Sequence, residues 1–111
     1  MKYFFCQNNC LGSIDNLPNS LEKIICPNNI IEQINNLPQN LIKLDVSSNN
    51  LININCVLPD SLIELDISNN NLINELNFSL PKNLEILNYD KNKLTNLIYP
   101  ESLKKVNYRY I

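Results

Sequence analysis

One five-residue phrase recurs along the chain and constrains its fold more than any other feature. LPNSL begins at Leu17, LPQNL at Leu37, LPDSL at Leu58, LPKNL at Leu80 and YPESL at Tyr99, so successive phrases are offset by 20, 21, 22 and 19 residues. Each phrase leads into a second pattern, LxxLxLxxNxL. It is filled by Leu41, Leu44, Val46, Asn49 and Leu51, and again by Leu62, Leu65, Ile67, Asn70 and Leu72. Leu84, Leu87, Tyr89, Asn92 and Leu94 follow the same template, and Leu21, Ile24, Cys26, Asn29 and Ile31 follow it with isosteric changes. The N-terminal residues join from Phe4 through Cys6, Asn9, Leu11 and Ile14, and the C-terminal residues supply Leu103, Val106 and Tyr108. Residues 1–111 therefore read as one domain of about six turns, each a unit that buries its apolar side only against copies of itself.

In each unit two apolar residues flank one outward residue, as Leu44 and Val46 flank Asp45, which is the alternation of a short strand with one face buried. Stacked turns that wind the same way place these strands in a single parallel sheet on the concave face of a right-handed β-superhelix. At a strand spacing of about 4.8 Å, six turns make a rod roughly 25 to 30 Å long. The return half of each turn has no room for a full helix. The Pro of every phrase favours extended or polyproline-like chain with short 3₁₀ turns. Asparagine supplies about a fifth of the chain and alanine is absent, which also disfavours helix interiors. Almost no α-helix is expected.

The recurrent Asn9, Asn29, Asn49, Asn70 and Asn92 stand where the chain leaves the strand and bends inward. An amide there can donate to and accept from neighbouring turns, so these residues are expected to form a structural ladder satisfying buried peptide groups. Asn8, Asn28, Ser48 and Asn69, one position earlier, are expected to face solvent.

LxxLxLxxNxL preceded by LPxxL resembles the leucine-rich repeat family over essentially the whole chain, in its short form of about 20 to 22 residues found in bacterial effectors. The LPxSL phrase with an Asn-rich filling is also similar to the FNIP repeats of amoebae, although the Phe-Asn-x-Pro step is missing. It is similar above all to leucine-rich repeat proteins of giant DNA viruses that infect amoebae. Unlike the bacterial effectors, the chain is expected to carry no ligase or other catalytic domain after the repeats. The resemblance implies a protein-binding scaffold, and the viral likeness implies an adaptor or decoy that engages a host protein in the host cytoplasm.

Composition removes several other functions. The chain has no histidine, hence no usual general base or commonest metal ligand, and its one glycine cannot build a phosphate-cradling loop. Nine Lys and Arg against eleven Asp and Glu give a net charge of -2, which offers no overall field for a nucleic-acid backbone. The opening MKYFFCQNNC has too short an apolar run for a secretion signal, and no run approaches a membrane-spanning length. A cytoplasmic protein that needs no cofactor and binds neither nucleic acid nor membrane is expected. Cys6, Cys10, Cys26 and Cys56 show no zinc-ligand spacing. Cys6 and Cys26 share one strand position in adjacent turns; free thiols are favoured there, with a disulfide left open, because parallel strands hold the two side chains nearly parallel.

The outward strand positions form the face that solenoids present to partners. It is apolar in the first turns, where Tyr3, Phe5 and Ile25 stand, and basic in the last, where Lys105, Asn107 and Arg109 stand. Between them the candidate partner-binding residues are Lys43, Asp45, Glu64, Asp66, Asn88 and Asp90. Asp45 and Asp66 should lie side by side, which costs stability unless a cation neutralises them. Three readings of this patch stand together: a solvated face screened by Lys23 and Lys43, a site for a basic segment of a protein partner, or a metal site. A small enzyme using the two carboxylates is a distant alternative, since an open sheet offers no water-excluding pocket. The strand ends suggest open edges. Lys104, Lys105 and Arg109 guard the C-terminal one, while at the N-terminal one two readings stand: a monomer whose end is blunted by Met1 and Lys2, or self-association through Tyr3, Phe4, Phe5 and Cys6, as a two-fold homodimer or a self-assembling structural protein.

Overall fold

The computed structural model describes residues 1–73 and 79–111. Six strands stack in parallel: β1 (Tyr3–Phe5), β2 (Lys23–Ile25), β4 (Lys43–Asp45), β6 (Glu64–Asp66), β7 (Ile86–Asn88) and β8 (Lys105–Val106). Their register is that of the repeat, since Phe4, Ile24, Leu44, Leu65, Leu87 and Val106 follow one another across the sheet. These residues point inward. Phe4 is half-buried and the other five are buried, and together with Cys26, Val46 and Ile67 they meet the return half of each turn, where Ile14, Ile34, Ile54, Leu51 and Leu72 are buried. The result is a solenoid of 32 × 25 × 24 Å in which no described residue is helical.

The LPxxL phrase acts through its backbone. In every copy the Leu three residues after Pro donates its N–H to the Pro carbonyl, at 3.2 Å for Leu21 and Pro18, 3.4 Å for Leu41 and Pro38, and 3.1 Å for Leu62 and Pro59. The later copies, Leu84 with Pro81 and Leu103 with Pro100, close the same tight turn. Pro favours such a turn by fixing φ and removes an N–H that would otherwise need a partner. The Ser of LPxSL then ties consecutive turns. Ser61 Oγ donates to the carbonyls of Leu41 (2.6 Å) and Gln39 (3.2 Å), and Ser102 Oγ to those of Leu84 (2.6 Å) and Lys82 (2.9 Å).

The Asn ladder is made of four equivalent residues and one exception. Asn49 Nδ2 donates to the carbonyls of Cys26 (3.1 Å), Val46 (3.0 Å) and Ser47 (3.1 Å), while its Oδ1 accepts the N–H of Ile31 at 3.0 Å. Asn29 joins Cys6 O and the N–H of Leu11, Asn70 joins Val46 O and the N–H of Leu51, and Asn92 joins Ile67 O and the N–H of Leu72. Asn9 departs from the expectation: it is exposed and, among the described residues, its side chain reaches Gln7 O (3.0 Å) and Cys6 Sγ (3.9 Å) within its own turn and no neighbouring turn. The ladder bonds run to the turn before, and no described turn precedes Asn9.

The positions just before the ladder carry a constraint the repeat pattern did not reveal. Asn8, Asn28, Ser48, Asn69 and Lys91 all have positive φ, between 54° and 59°. Asn tolerates the left-handed region better than other residues with a Cβ, which accounts for the Asn-Asn pairs. Asn8, Asn28 and Asn69 are exposed, whereas Ser48 is half-buried.

Two further elements lie outside the expected single sheet. On the convex side β3 (Gln33–Ile34) and β5 (Asn53–Ile54) pair in parallel. Beside them Asp15 Oδ1 accepts the N–H of Asn35 (2.8 Å) and of Asn36 (3.3 Å), its Oδ2 accepts Asn35 Nδ2 (2.8 Å), and Asn35 Oδ1 accepts Asn55 Nδ2 (2.9 Å). Partial burial pushes the Asp15 carboxyl upward, but hydrogen bonds from Asn35, Asn36 and Ser13 outweigh it and hold the group below its ordinary 3.8. A carboxyl depressed in the folded state stabilises fully above its unfolded value and loses that contribution as pH falls through the folded value. Urea midpoints of the wild type and Asp15→Asn should therefore converge as pH drops below 3.8. A gap that stays constant from pH 6 to the acid limit (about 2.5, well below the ordinary Asp value) would refute this role.

The C-terminal end corrects two expectations. The sheet does not stop on an open parallel strand, because the chain reverses at Asn107 and Tyr108 and returns as β9 (Arg109–Tyr110), antiparallel to β8 with Val106 opposite Arg109. Both turn residues have positive φ, 50° and 67°, as a two-residue hairpin with the twist of the sheet requires. Tyr108 is therefore not an inward residue of a last turn but 67% exposed, and Arg109 does not continue the outward row of Lys105.

Candidate partner-binding face

Two outward rows cross the sheet. Tyr3, Lys23, Lys43, Glu64, Ile86 and Lys105 form one, and Phe5, Ile25, Asp45, Asp66 and Asn88 form the other. The offset of 21 residues between β4 and β6 makes Asp45 and Asp66 direct neighbours, one strand spacing or about 4.8 Å apart at Cα. Each carboxylate is oriented by the serine two residues on. Asp45 Oδ1 accepts Ser47 N–H (2.9 Å) and Oγ–H (2.7 Å), and Asp66 Oδ1 accepts Ser68 N–H (3.0 Å) and Oγ–H (2.6 Å). These D-x-S turns are legible in DVS and DIS, outside the apolar repeat pattern.

The cations nearby are engaged elsewhere. Lys43 Nζ pairs with Glu64 at 3.3 Å, Lys23 Nζ lies 5.5 Å from the centre of the Tyr3 ring, and Lys105 Nζ lies 5.2 Å from that of Tyr110. Among the described residues no ion pair includes Asp45 or Asp66, so screening of this patch by Lys23 and Lys43 involves no direct contact.

Tyr108 completes the site and was not anticipated there. From the hairpin turn it reaches back over the sheet, where its hydroxyl donates to Asp66 Oδ2 at 3.3 Å and its N–H to Asn88 Oδ1 at 3.2 Å. The negative charge of Asp66, followed by partial burial and the charges of Asp45 and Asp90, raises the phenol above its ordinary range. Lys43, Asp45, Glu64, Asp66, Asn88 and Tyr108 line a recess of about 250 Å³ together with Ile86 and Lys105. Asn88 is buried at its base, 3.5 Å from Asp66 Oδ2. Asp90 is exposed and lies outside the recess lining.

At the other end of the face Tyr3 and Phe5 are 50% and 63% exposed, with ring centres 6.2 Å apart. Phe4 and Cys6 are half-buried against the core. Cys6 and the fully buried Cys26 are free thiols, and burial, with Cys6 alongside, pushes the Cys26 thiol up to about 12. A thiol held that firmly protonated behaves as a small hydrophobe. Among the described residues no group of three or more Cys, Asp or Glu is placed to hold a metal ion, and no helix is long and apolar enough to cross a membrane.

No family model and no curated protein matches the chain in sequence. Among solved structures it is similar to YopM from Yersinia enterocolitica WA-314, a leucine-rich repeat protein, with 27% identity and a TM-score of 0.56. The match covers 96% of this chain and 32% of that one, so the chain spans about a third of the length of this neighbour. The likeness and the stacked parallel strands together make the fold a leucine-rich repeat solenoid.

Proposed function

We propose that this leucine-rich repeat solenoid is a non-enzymatic interaction scaffold that engages a protein partner through the concave face of β1, β2, β4, β6, β7 and β8. One observation carries the reading: near the centre of the sheet two adjacent carboxylates are held in fixed orientation, and among the described residues neither is in an ion pair. Like charges directly opposite one another destabilise a sheet, and a partner's basic group relieves that cost on binding. Asp45→Asn with Asp66→Asn should leave the fold intact or slightly more stable. It should remove the proteins that the wild type retains from a host lysate, quantified by mass spectrometry. An unchanged set of retained proteins refutes the reading.

The resemblance of the LPxSL phrases and Asn-rich filling to repeat proteins of giant DNA viruses supports the finer reading of a viral adaptor or decoy acting in host cytoplasm. A second reading, a homodimer joined through Tyr3, Phe4, Phe5 and Cys6, is favoured by the exposure of Tyr3 and Phe5 on the edge strand of the described sheet. Light scattering across a dilution series tests it, and a constant 12.8 kDa species refutes it.

A further inference from the structure

We propose that the concave face docks an extended segment of its partner that sets an arginine between Asp45 and Asp66, against Tyr108, and an apolar side chain about three residues away on Phe5 and Ile25. This rests on the reading of the concave face as the partner surface and specifies the chemistry it selects. The charge is complementary at one point. The Oδ1 atoms of both carboxylates are occupied by Ser47 and Ser68, which leaves the Oδ2 atoms for a ligand. Asp66 Oδ2 already accepts from the Tyr108 hydroxyl and is near Asn88 Nδ2. Two of the recess residues are cationic, but Lys43 is paired with Glu64 and Lys105 lies over Tyr110.

Arginine fits this site better than lysine for a geometric reason. Two carboxylates one strand spacing apart present separate acceptors, and a planar guanidinium donates to both from its fork while stacking on an aromatic ring. An ammonium is a single point of charge. The recess of about 250 Å³ holds one side-chain head and not a folded element. Tyr108 stands on its C-terminal side, so the rest of the segment runs over β2 and β1, where Phe5 and Ile25 offer an apolar surface. From Phe5 to Asp45 is two strand spacings, about 9.6 Å, which an extended chain rising about 3.3 Å per residue spans in about three residues.

The test uses fluorescein-labelled peptides with Leu and Arg three residues apart, the remaining positions randomised, and anisotropy against the full chain. Replacing Arg by citrulline, which keeps the shape and removes the charge, should raise Kd about tenfold or more, and replacing it by Lys should raise Kd less, because a point charge keeps the attraction but loses the fork. Asp45→Asn with Asp66→Asn should abolish the difference between Arg and citrulline peptides. Tyr108→Ala should weaken the Arg peptides selectively, and Phe5→Ser should abolish the advantage of the Leu peptides over the same peptides with Leu replaced by Ser. Circular dichroism confirms that each variant is folded.

Equal binding of Arg and citrulline peptides, or no peptide binding at all, overturns the proposal. If retention of partner proteins nevertheless depends on Asp45 and Asp66, the concave-face reading survives and only the arginine anchor fails. A species of twice 12.8 kDa that disappears in the double Asn variant assigns the face to a second copy of the chain and also overturns the proposal.

Discussion

Leu65→Ala will destabilise the solenoid by about 2 to 5 kcal/mol, the cost of lost burial plus the cavity left behind. Leu65 is 1% exposed and stands in register between Leu44 and Leu87, so its side chain fills space shared by two turn interfaces. Stability in a solenoid is close to a sum of unit and nearest-neighbour terms. A void in the middle weakens both adjoining interfaces and should separate the unfolding of the two halves. Leu103, in the last turn and 6% exposed, has a neighbouring turn on one side within the described chain, so Leu103→Ala should cost less and leave a single transition. Urea denaturation followed by circular dichroism and by tyrosine fluorescence decides this. A larger loss at Leu103 than at Leu65, or coincident single transitions for both, would count against this account.

Asn49→Ala and Asn70→Ala should each cost about 1 to 3 kcal/mol, because truncation orphans one buried N–H, that of Ile31 or of Leu51. The carbonyls that Asn49 serves each keep another donor, Cys26 O from Asn29 Nδ2, Val46 O from Asn70 Nδ2 and Ser47 O from Asn28 N–H. Asn53→Ala, at an exposed side chain of β5, should stay within about 0.5 kcal/mol of the wild type. The same small effect is expected for Asn9→Ala, although Asn9 matches the repeat as well as Asn49 does. An Asn9 variant as damaging as the Asn49 variant would show that the first turn is tied in some other way.

The contrast between Asn9 and Asn49 marks what the sequence could convey. A repeat reports what the average turn does. Inward positions, strand register and the adjacency of Asp45 and Asp66 were therefore all legible from the 20, 21, 22 and 19 residue offsets. It is silent on departures at the ends. Tyr108 occupies a template position that is inward in every earlier turn, and the Asn-Tyr pair that reverses the chain lacks the glycine that usually announces such a hairpin. The recess wall was hidden for that reason. The left-handed φ at Asn8, Asn28, Ser48, Asn69 and Lys91 was hidden differently: the recurrence before the ladder was visible, but in a chain so rich in Asn it pointed to solvent exposure as readily as to a left-handed backbone. The convex bonds from Asp15 through Asn35 to Asn55 join residues from three turns, and no apolar pattern reports a polar alignment.

The direction of the ladder has a consequence for how such a chain comes into being. Asn29, Asn49, Asn70 and Asn92 each complete the hydrogen bonding of the turn before their own. A ribosome releases the chain in that same order, and domains begin to fold from the N-terminus during synthesis. Each newly emerged turn thus meets a docking surface whose unpaired N–H, that of Leu11, Ile31, Leu51 or Leu72, is already in place, and its own asparagine seals it. These bonds allow growth by templated addition, one turn at a time, without waiting for any distant segment of the chain.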